Sequence, residues 1–300
     1  MSAISPPVLT GSELEPASPA PAPPRRPRRS VTAWAASHGI LLLFSAVALL
    51  PFVSILLVSF YPQGQAAVGL AWPRSFSFGN YVRAWETAEF GRLMRSSLIV
   101  AVVVVPLTSA LSILTGYAFG CMDFRAKRVL FLLFLVGLLM PFEATIVPLY
   151  YDLRALGLVN TYPGLILPEA SLFLSFGTFW MRAHFLSTPR SLVEAARLDG
   201  ATSWATLWRV LLPSARPAIT TMMVLFFIWS WNEFLLALVL AQDPAVETAP
   251  AGLGIFIGEH TVDTSGLAAG ATIMTIPAMI VYALLQRHFI QGVTSGAVKE

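Results

Sequence analysis

Residues 97–119 read SLIVAVVVVPLTSALSILTGYAF, an apolar stretch without a single charged side chain. A helical residue rises only about 1.5 Å, so about 20 apolar residues are needed to cross the hydrocarbon of a bilayer. Lipid offers no partner to a backbone N–H or C=O, and a stretch of this length in lipid must therefore be helical. Five further stretches meet the same standard, at residues 40–61, 129–151, 162–180, 218–241 and 266–285. Composition agrees: 56% of the chain is apolar and 12% charged, against about 25% charged in soluble domains. The expectation is an all-α polytopic membrane protein with six transmembrane helices. Prolines at 51, 106, 141, 148, 168 and 277 are expected to bend those helices locally.

An even number of spans puts both termini on one side, and the side richer in Lys and Arg faces the cytoplasm. Fourteen of the 19 basic residues fall on the side of the termini, which predicts cytoplasmic termini in a bacterial plasma membrane. Arg74, Arg83, Arg92 and Arg95 run against that rule. The net charge of +3 is scattered between apolar blocks, so no nucleic-acid-binding segment is indicated. The lone Cys121 excludes an internal disulfide, and no Cys or His lies at metal-ligand spacing. His260 and His288 read as solvated groups in loops or tails. Residues 1–35, rich in Pro, Ala and Ser with Arg25, Arg26, Arg28 and Arg29, have too little apolar content to fold and are expected as a disordered tail. A membrane domain is expected over residues 36–290 and a short C-terminal tail over 291–300.

Between the fourth and fifth spans, residues 184–216 are too polar for lipid yet regularly patterned. Ser191 with Glu194 three residues on has the spacing of a capping box, and Asp199-Gly200 supplies a helix-ending turn. Ser203 can cap a second short helix carrying Trp204, Leu207, Trp208 and Leu211, ended by Pro213. Spacing alone fits two amphipathic helices lying on the membrane surface equally well.

The wording of this segment is more specific. Glu194-Ala195-Ala196, Gly200, Val210, Leu212 and Pro213 resemble the EAA loop of ABC importer permeases, with Val210 where Ile is usual. The resemblance runs from about Phe76 to the C-terminus and points to the carbohydrate branch related to the maltose and glycerol-3-phosphate permeases. It is carried by Phe78-Gly79-Asn80-Tyr81, Pro148-Leu149-Tyr150, Gly164-Leu165-Ile166-Leu167-Pro168, Trp231-Asn232-Glu233-Phe234 and the tail from Gly292 to Lys299.

The resemblance implies a type I importer permease whose loop forms a helix docking in a groove of an ATP-binding subunit. Glu194 and Asp199 would meet basic groups there. It further implies a second related permease, two ATP-binding subunits and an extracytoplasmic sugar-binding protein as partners. No GxxxxGK[ST] motif occurs, so ATP is expected on the partner and no cofactor on this chain. No nucleophile, base and orienting group stand together, which argues against an enzyme. Two alternatives stay open: an ABC permease for another solute such as glycerol phosphate, and a secondary transporter driven by an ion gradient.

Glu143, Glu169 and Glu233 fall within the expected spans, where a carboxylate facing lipid costs at least about 2.5 kcal/mol. Asn232 and Glu233, after Trp229 and Trp231, bring hydrogen-bonding and stacking groups to one place, the chemistry a sugar requires. Together with Glu143 they are the candidates for the substrate pathway. Fastening of helices is an equal reading for Asn232 and Glu233 and the favoured one for Glu143 and Glu169.

Overall fold

The computed structural model describes residues 31–65, 70–258 and 261–297. Residues 1–30, most of the expected N-terminal tail, lie outside the described residues, as do His260, the final three residues and the side chain of His288. The chain divides into two compact units, Met1–Leu50 and Pro51–Glu300. The described part of the first, residues 31–50, is helical and almost wholly apolar beyond residue 39.

In chain order the helices are α1 (Val31–Ser59), α2 (Gly79–Thr87), α3 (Phe90–Cys121), α4 (Lys127–Leu139), α5 (Phe142–Ala155), α6 (Tyr162–Ser187) and α7 (Arg190–Leu198). A short α8 (Ser203–Ala205) leads through a π-helical segment (Thr206–Leu211) into α9 (Leu212–Trp231). α10 (Leu235–Leu240), α11 (Ala249–Gly252), a 3-10 turn (Leu253–Phe256) and α12 (Thr264–Ala297) complete the chain. Among the described residues the nearest approach to a strand is one antiparallel bridge between Ile257 and Val262.

Five helical stretches are long and apolar enough to span a bilayer alone: Ala35–Ser59, Phe90–Cys121, Tyr162–Ser187, Ser203–Trp231 and Thr264–Gln286. The sixth span, expected as one helix over 129–151, is instead the pair α4 and α5, bent by 99°. Pro141 stands at that bend as the cap of α5, where its missing N–H and fixed φ suit a helix start better than a helix interior. Pro51, Pro106, Pro148, Pro168 and Pro277 lie inside continuous helices, so among the span prolines only Pro141 stands at a break between helices.

The fifth span also differs from expectation. It begins at Ser203, because Pro213 does not end a helix there. The π turn of Thr206–Leu211 immediately precedes it. A π turn pairs i with i+5 and widens the backbone, which accommodates the ring that would clash with the carbonyl four residues back in an α-helix. At its far end the span stops at Trp231, and residues 235–240 form the separate α10. Asn232 and Glu233 therefore sit in a break, not inside a helix. The last helix runs on to Ala297, through most of the stretch read as a C-terminal tail.

The core lies where α3, α5, α6, α9 and α10 meet, around Val104, Leu165, Met181, Met222, Phe226 and Leu236. α3 and α6 cross closely enough that a Cβ on Gly116 would come within 2.4 Å of Met181 Cβ; without a strong hydrophobic drive in lipid, such close backbone approach is what holds helices together. α6 and α9 are joined by stacked Phe173 and Phe226, by Phe176 against Trp229, and by the Trp180 indole N–H donating to Ala218 O at 3.0 Å.

On the side of the chain opposite α7, Asn80 is 1% exposed and its amide donates to Ser59 O and Tyr61 O, both at 2.8 Å. These are carbonyls that the end of α1 leaves without helical partners. The Phe78-Gly79-Asn80-Tyr81 stretch is thus a clasp on the first span, completed by Tyr81 and Ser59, whose hydroxyl oxygens lie 2.6 Å apart. Two of the arginines that defy the charge rule are neutralised on the same side: Arg83 by Asp263 at 3.1 Å, and Arg92 by Glu89 at 2.8 Å and Glu247 at 3.6 Å.

Candidate functional site

Two polar places interrupt the apolar architecture, and they lie at opposite ends of one helix. The first is the loop of α7. Pro189 takes an extended ψ and α7 starts at once at Arg190, which puts Ser191 inside the first turn. The capping box expected of Ser191 and Glu194 does not form, since the helix cap is Pro189 and makes no side-chain bond.

The end of α7 follows from its sequence in detail. Gly200 has φ +77°, the left-handed conformation that Gly adopts without penalty. Ala201 N–H donates to Ala196 O at 2.9 Å and Gly200 N–H to Arg197 O at 3.0 Å. This pair of bonds is the Schellman closure, in which a residue two beyond the cap reaches back to the last turn. Ala196 is buried against the π segment, where a larger side chain would push α7 away.

Exposed on α7 and its end are Arg190, Ser191, Leu192, Glu194, Ala195, Arg197, Leu198 and Asp199, with Leu198 at 89%. The loop is pinned to the membrane domain by Tyr117, whose hydroxyl donates to Ser203 O at 3.0 Å. The next helix is capped by Thr202, accepting from Ala205 N–H at 3.2 Å, and not by Ser203 as the spacing suggested. Leu212 is half-buried and Pro213 exposed; both belong to the continuous fifth span. Trp204 and Trp208 lie against each other, ring centres 5.5 Å apart, on the exposed side of the same stretch.

The second polar place is the break between α9 and α10. The Asn232 amide donates to Ile228 O at 2.7 Å, closing the end of α9. A Glu233 carboxylate oxygen accepts from Leu236 N–H at 2.9 Å, capping the start of α10. Both residues use their polar atoms on the backbone beside them. Trp231 stacks on Phe227 and donates to Met274 O of α12 at 3.0 Å, and Trp229 packs on Phe173 and Phe176. The indoles expected to offer stacking faces to a sugar thus fasten helices.

Glu169 likewise fastens: it is 2% exposed and accepts from the Ser230 hydroxyl at 2.6 Å, tying α6 to α9. Glu143 is exposed in the first turn of α5, just past the bend. Among the described residues no hydrogen bond or ion pair brings Glu143 together with Asn232 or Glu233, so the three do not form one cluster.

The sequence reading missed Tyr117, Thr202 and Asn160. Asn160 adopts φ +60° and its side-chain oxygen accepts from Gln242 N–H at 2.8 Å and Asp243 N–H at 3.0 Å, while its own N–H donates to Leu240 O at 2.7 Å. It thereby clamps the α5–α6 turn to the end of α10. An Asn three residues after a Gly in the short connection between two helices was the available signal. No group of three or more His, Cys, Asp or Glu among the described residues is arranged to hold a metal ion.

The family model described as "Binding-protein-dependent transport system inner membrane component" matches residues 112–295, more than half of the chain. The chain belongs to this family. The match takes in α7, its Gly200 turn and the break at Asn232. This permease is 31% identical over 268 residues to the diacetylchitobiose uptake system permease protein NgcG of Streptomyces coelicolor, covering 88% of this chain and 89% of that one. It is 33% identical over 273 residues to the trehalose transport system permease protein SugB of Mycobacterium tuberculosis, covering 90% and 98%. With the trehalose/maltose transport system permease protein MalG of Thermococcus litoralis it shares 32% identity over 262 residues, covering 86% and 94%. Its fold matches a chain in the crystal structure of a bacterial ABC transporter involved in the import of the acidic polysaccharide alginate, with a TM-score of 0.73 and 25% identity over 89% of this chain and all of that one.

Proposed function

We propose that this permease is one of two membrane-spanning subunits of a bacterial carbohydrate importer driven by ATP, forming half of the translocation pathway. The observation that carries the reading is the outward face of α7. Glu194, Ala195, Leu198 and Asp199 are exposed on a short helix held rigidly by the Gly200 turn and the Tyr117 anchor. The exposed carboxylates of Glu194 and Asp199 offer charges that basic groups of a partner can meet. An ATP-binding subunit receives this face, so that nucleotide-driven closure of the motor moves the fifth span directly. The chain binds no ATP and breaks no bond of its solute.

The carbohydrate assignment draws on relatives whose names specify diacetylchitobiose, trehalose and maltose uptake. The assembly comprises a second related permease, two ATP-binding subunits and an extracytoplasmic sugar-binding protein. It sits in the plasma membrane with both termini cytoplasmic, so α7 faces the cytoplasm and Asn80, Asn160 and α10 lie toward the outside. The test is uptake of trehalose, maltose and diacetylchitobiose into proteoliposomes holding the complete complex and its binding protein. Uptake of at least one sugar that requires ATP is expected. Uptake driven by an ion gradient without ATP, or no uptake of any of the three, would overturn the reading.

A further inference from the structure

Two of the sequence stretches that carried the resemblance, Pro148-Leu149 and Leu167-Pro168, have no part in the coupling surface. They lie far apart in the chain yet line one groove between α5 and α6, of about 460 Å³, together with Phe142, Thr145, Asp152 and Ser171. That volume falls within the range of about 300–1,000 Å³ typical of small-molecule sites. The 99° bend between α4 and α5 places Phe142 at one end of the groove-lining helix, and Asp152 lies near its other end, toward Ala155.

The groove's chemistry is one-sided. Asp152 is exposed and takes no hydrogen bond or ion pair from any described side chain, and the Ser171 hydroxyl is exposed without a hydrogen-bond partner among them. The Thr145 hydroxyl donates its proton to Phe142 O at 2.8 Å, which leaves its lone pairs free. The rest of the lining, Pro148, Leu149, Leu153, Leu167, Pro168 and Leu172, is apolar. Asp152 lies one residue beyond the apolar stretch 129–151, where its carboxylate faces water or protein and not hydrocarbon.

We infer that the α5–α6 groove is a solute-contact section of the translocation path, in which Asp152, Thr145 and Ser171 take hydroxyl groups of a neutral sugar. The Asp152 carboxylate and the Thr145 and Ser171 oxygens can accept hydrogen bonds, and a sugar presents a hydroxyl on nearly every carbon. Phe142 gives an aromatic surface for the apolar face of a pyranose ring. The negative charge of Asp152 disfavours acidic sugars, so the class selected is neutral oligosaccharide. This inference rests on the carbohydrate reading above.

The experiment uses the complete importer in proteoliposomes. Ser171→Cys in a Cys121→Ser background is treated with a membrane-impermeant cationic thiosulfonate, with and without millimolar trehalose, maltose or diacetylchitobiose during ATP turnover. Labelling is expected, slowed at least twofold by whichever sugar is imported. Asp152→Ala, on an exposed site, is expected to lower initial uptake about tenfold at wild-type recovery of the complex, with Asp152→Asn retaining more. An unreactive Ser171→Cys, which is the outcome if the second permease or lipid fills the groove, would overturn the inference, as would wild-type uptake by Asp152→Ala. Absence of ATP-dependent uptake by the wild-type complex overturns the carbohydrate reading instead.

Discussion

The two polar interruptions at the ends of the fifth span treat their side chains in opposite ways. At the break between α9 and α10, Asn232 and Glu233 bond to the backbone beside them, closing one helix and opening the next. At α7 the backbone closes itself through Gly200 and Ala201, which leaves Glu194 and Asp199 exposed. A polar group answered within its own turn explains the local fold; one left exposed on a closed turn is free to meet a partner, as proposed for α7. The contrast sets the proposed docking face apart from the break even where the sequences are equally suggestive.

The largest expected effect comes from removing the frame. Gly200→Val places a β-branched residue in the left-handed region, which costs about 1–2 kcal/mol even for an unbranched residue. No atom lies within 4 Å of the Cβ it would carry, so any loss comes from the backbone alone. Transport and co-purification of the ATP-binding subunit should fall together, at least tenfold, while the amount of permease in the membrane stays at the wild-type level. Normal motor binding with wild-type transport would remove the contrast.

Glu194→Lys tests the exposed face without touching the frame. Reversing a charge at an interface sets like charges together, and a loss of about tenfold in motor recovery corresponds to about 1.4 kcal/mol. The defect should weaken as ionic strength rises, which a merely misfolded loop would not show. Measurement of complex yield across a salt series decides it.

At the other end, Glu233→Ala removes a cap whose loss typically costs about 1 kcal/mol. The thermal midpoint of the purified complex should drop by a few degrees with motor recovery unchanged. If uptake disappears while the midpoint holds, Glu233 serves the solute and the two places are alike after all. Thr202→Ala should have the smallest effect, about 1 kcal/mol or less of local helix stability, seen as faster amide exchange around Ala205 with assembly intact.

The spans were legible because lipid imposes a length and composition that few residues can disguise: the stretch at 97–119 lies wholly inside α3. Asp199-Gly200 was legible for a similar reason, since the left-handed turn that closes a helix suits Gly and few other residues. The failures share a cause. Pro213 looked like a stop because an α-helix cannot take its ring, but a π turn can, and nothing in the local residue string announces one. Pro189 moved the start of α7 ahead of Ser191, so a correctly spaced capping box had no helix end to cap. The bend at Pro141 and the helix through Pro168 carry the same residue type; what separates them is packing, since Pro168 is buried in α6, which packs against α3, whereas Pro141 is exposed. The groove at Asp152 was invisible because its walls come from two helices, and Tyr117 because its partner is a backbone carbonyl far along the chain.

The π turn has a mechanical consequence. Because Pro213 leaves the helix unbroken, the stretch Ser203–Trp231 is one continuous helical span of 29 residues, about 40 Å long at 1.5 Å per residue. Its near end is the floor beneath α7 and its far end is the Asn232 break. A displacement delivered beneath α7 would therefore act on one continuous helix that reaches to the other end of the span. The first interruption it would meet is the break at Asn232 and Glu233, where α10 begins.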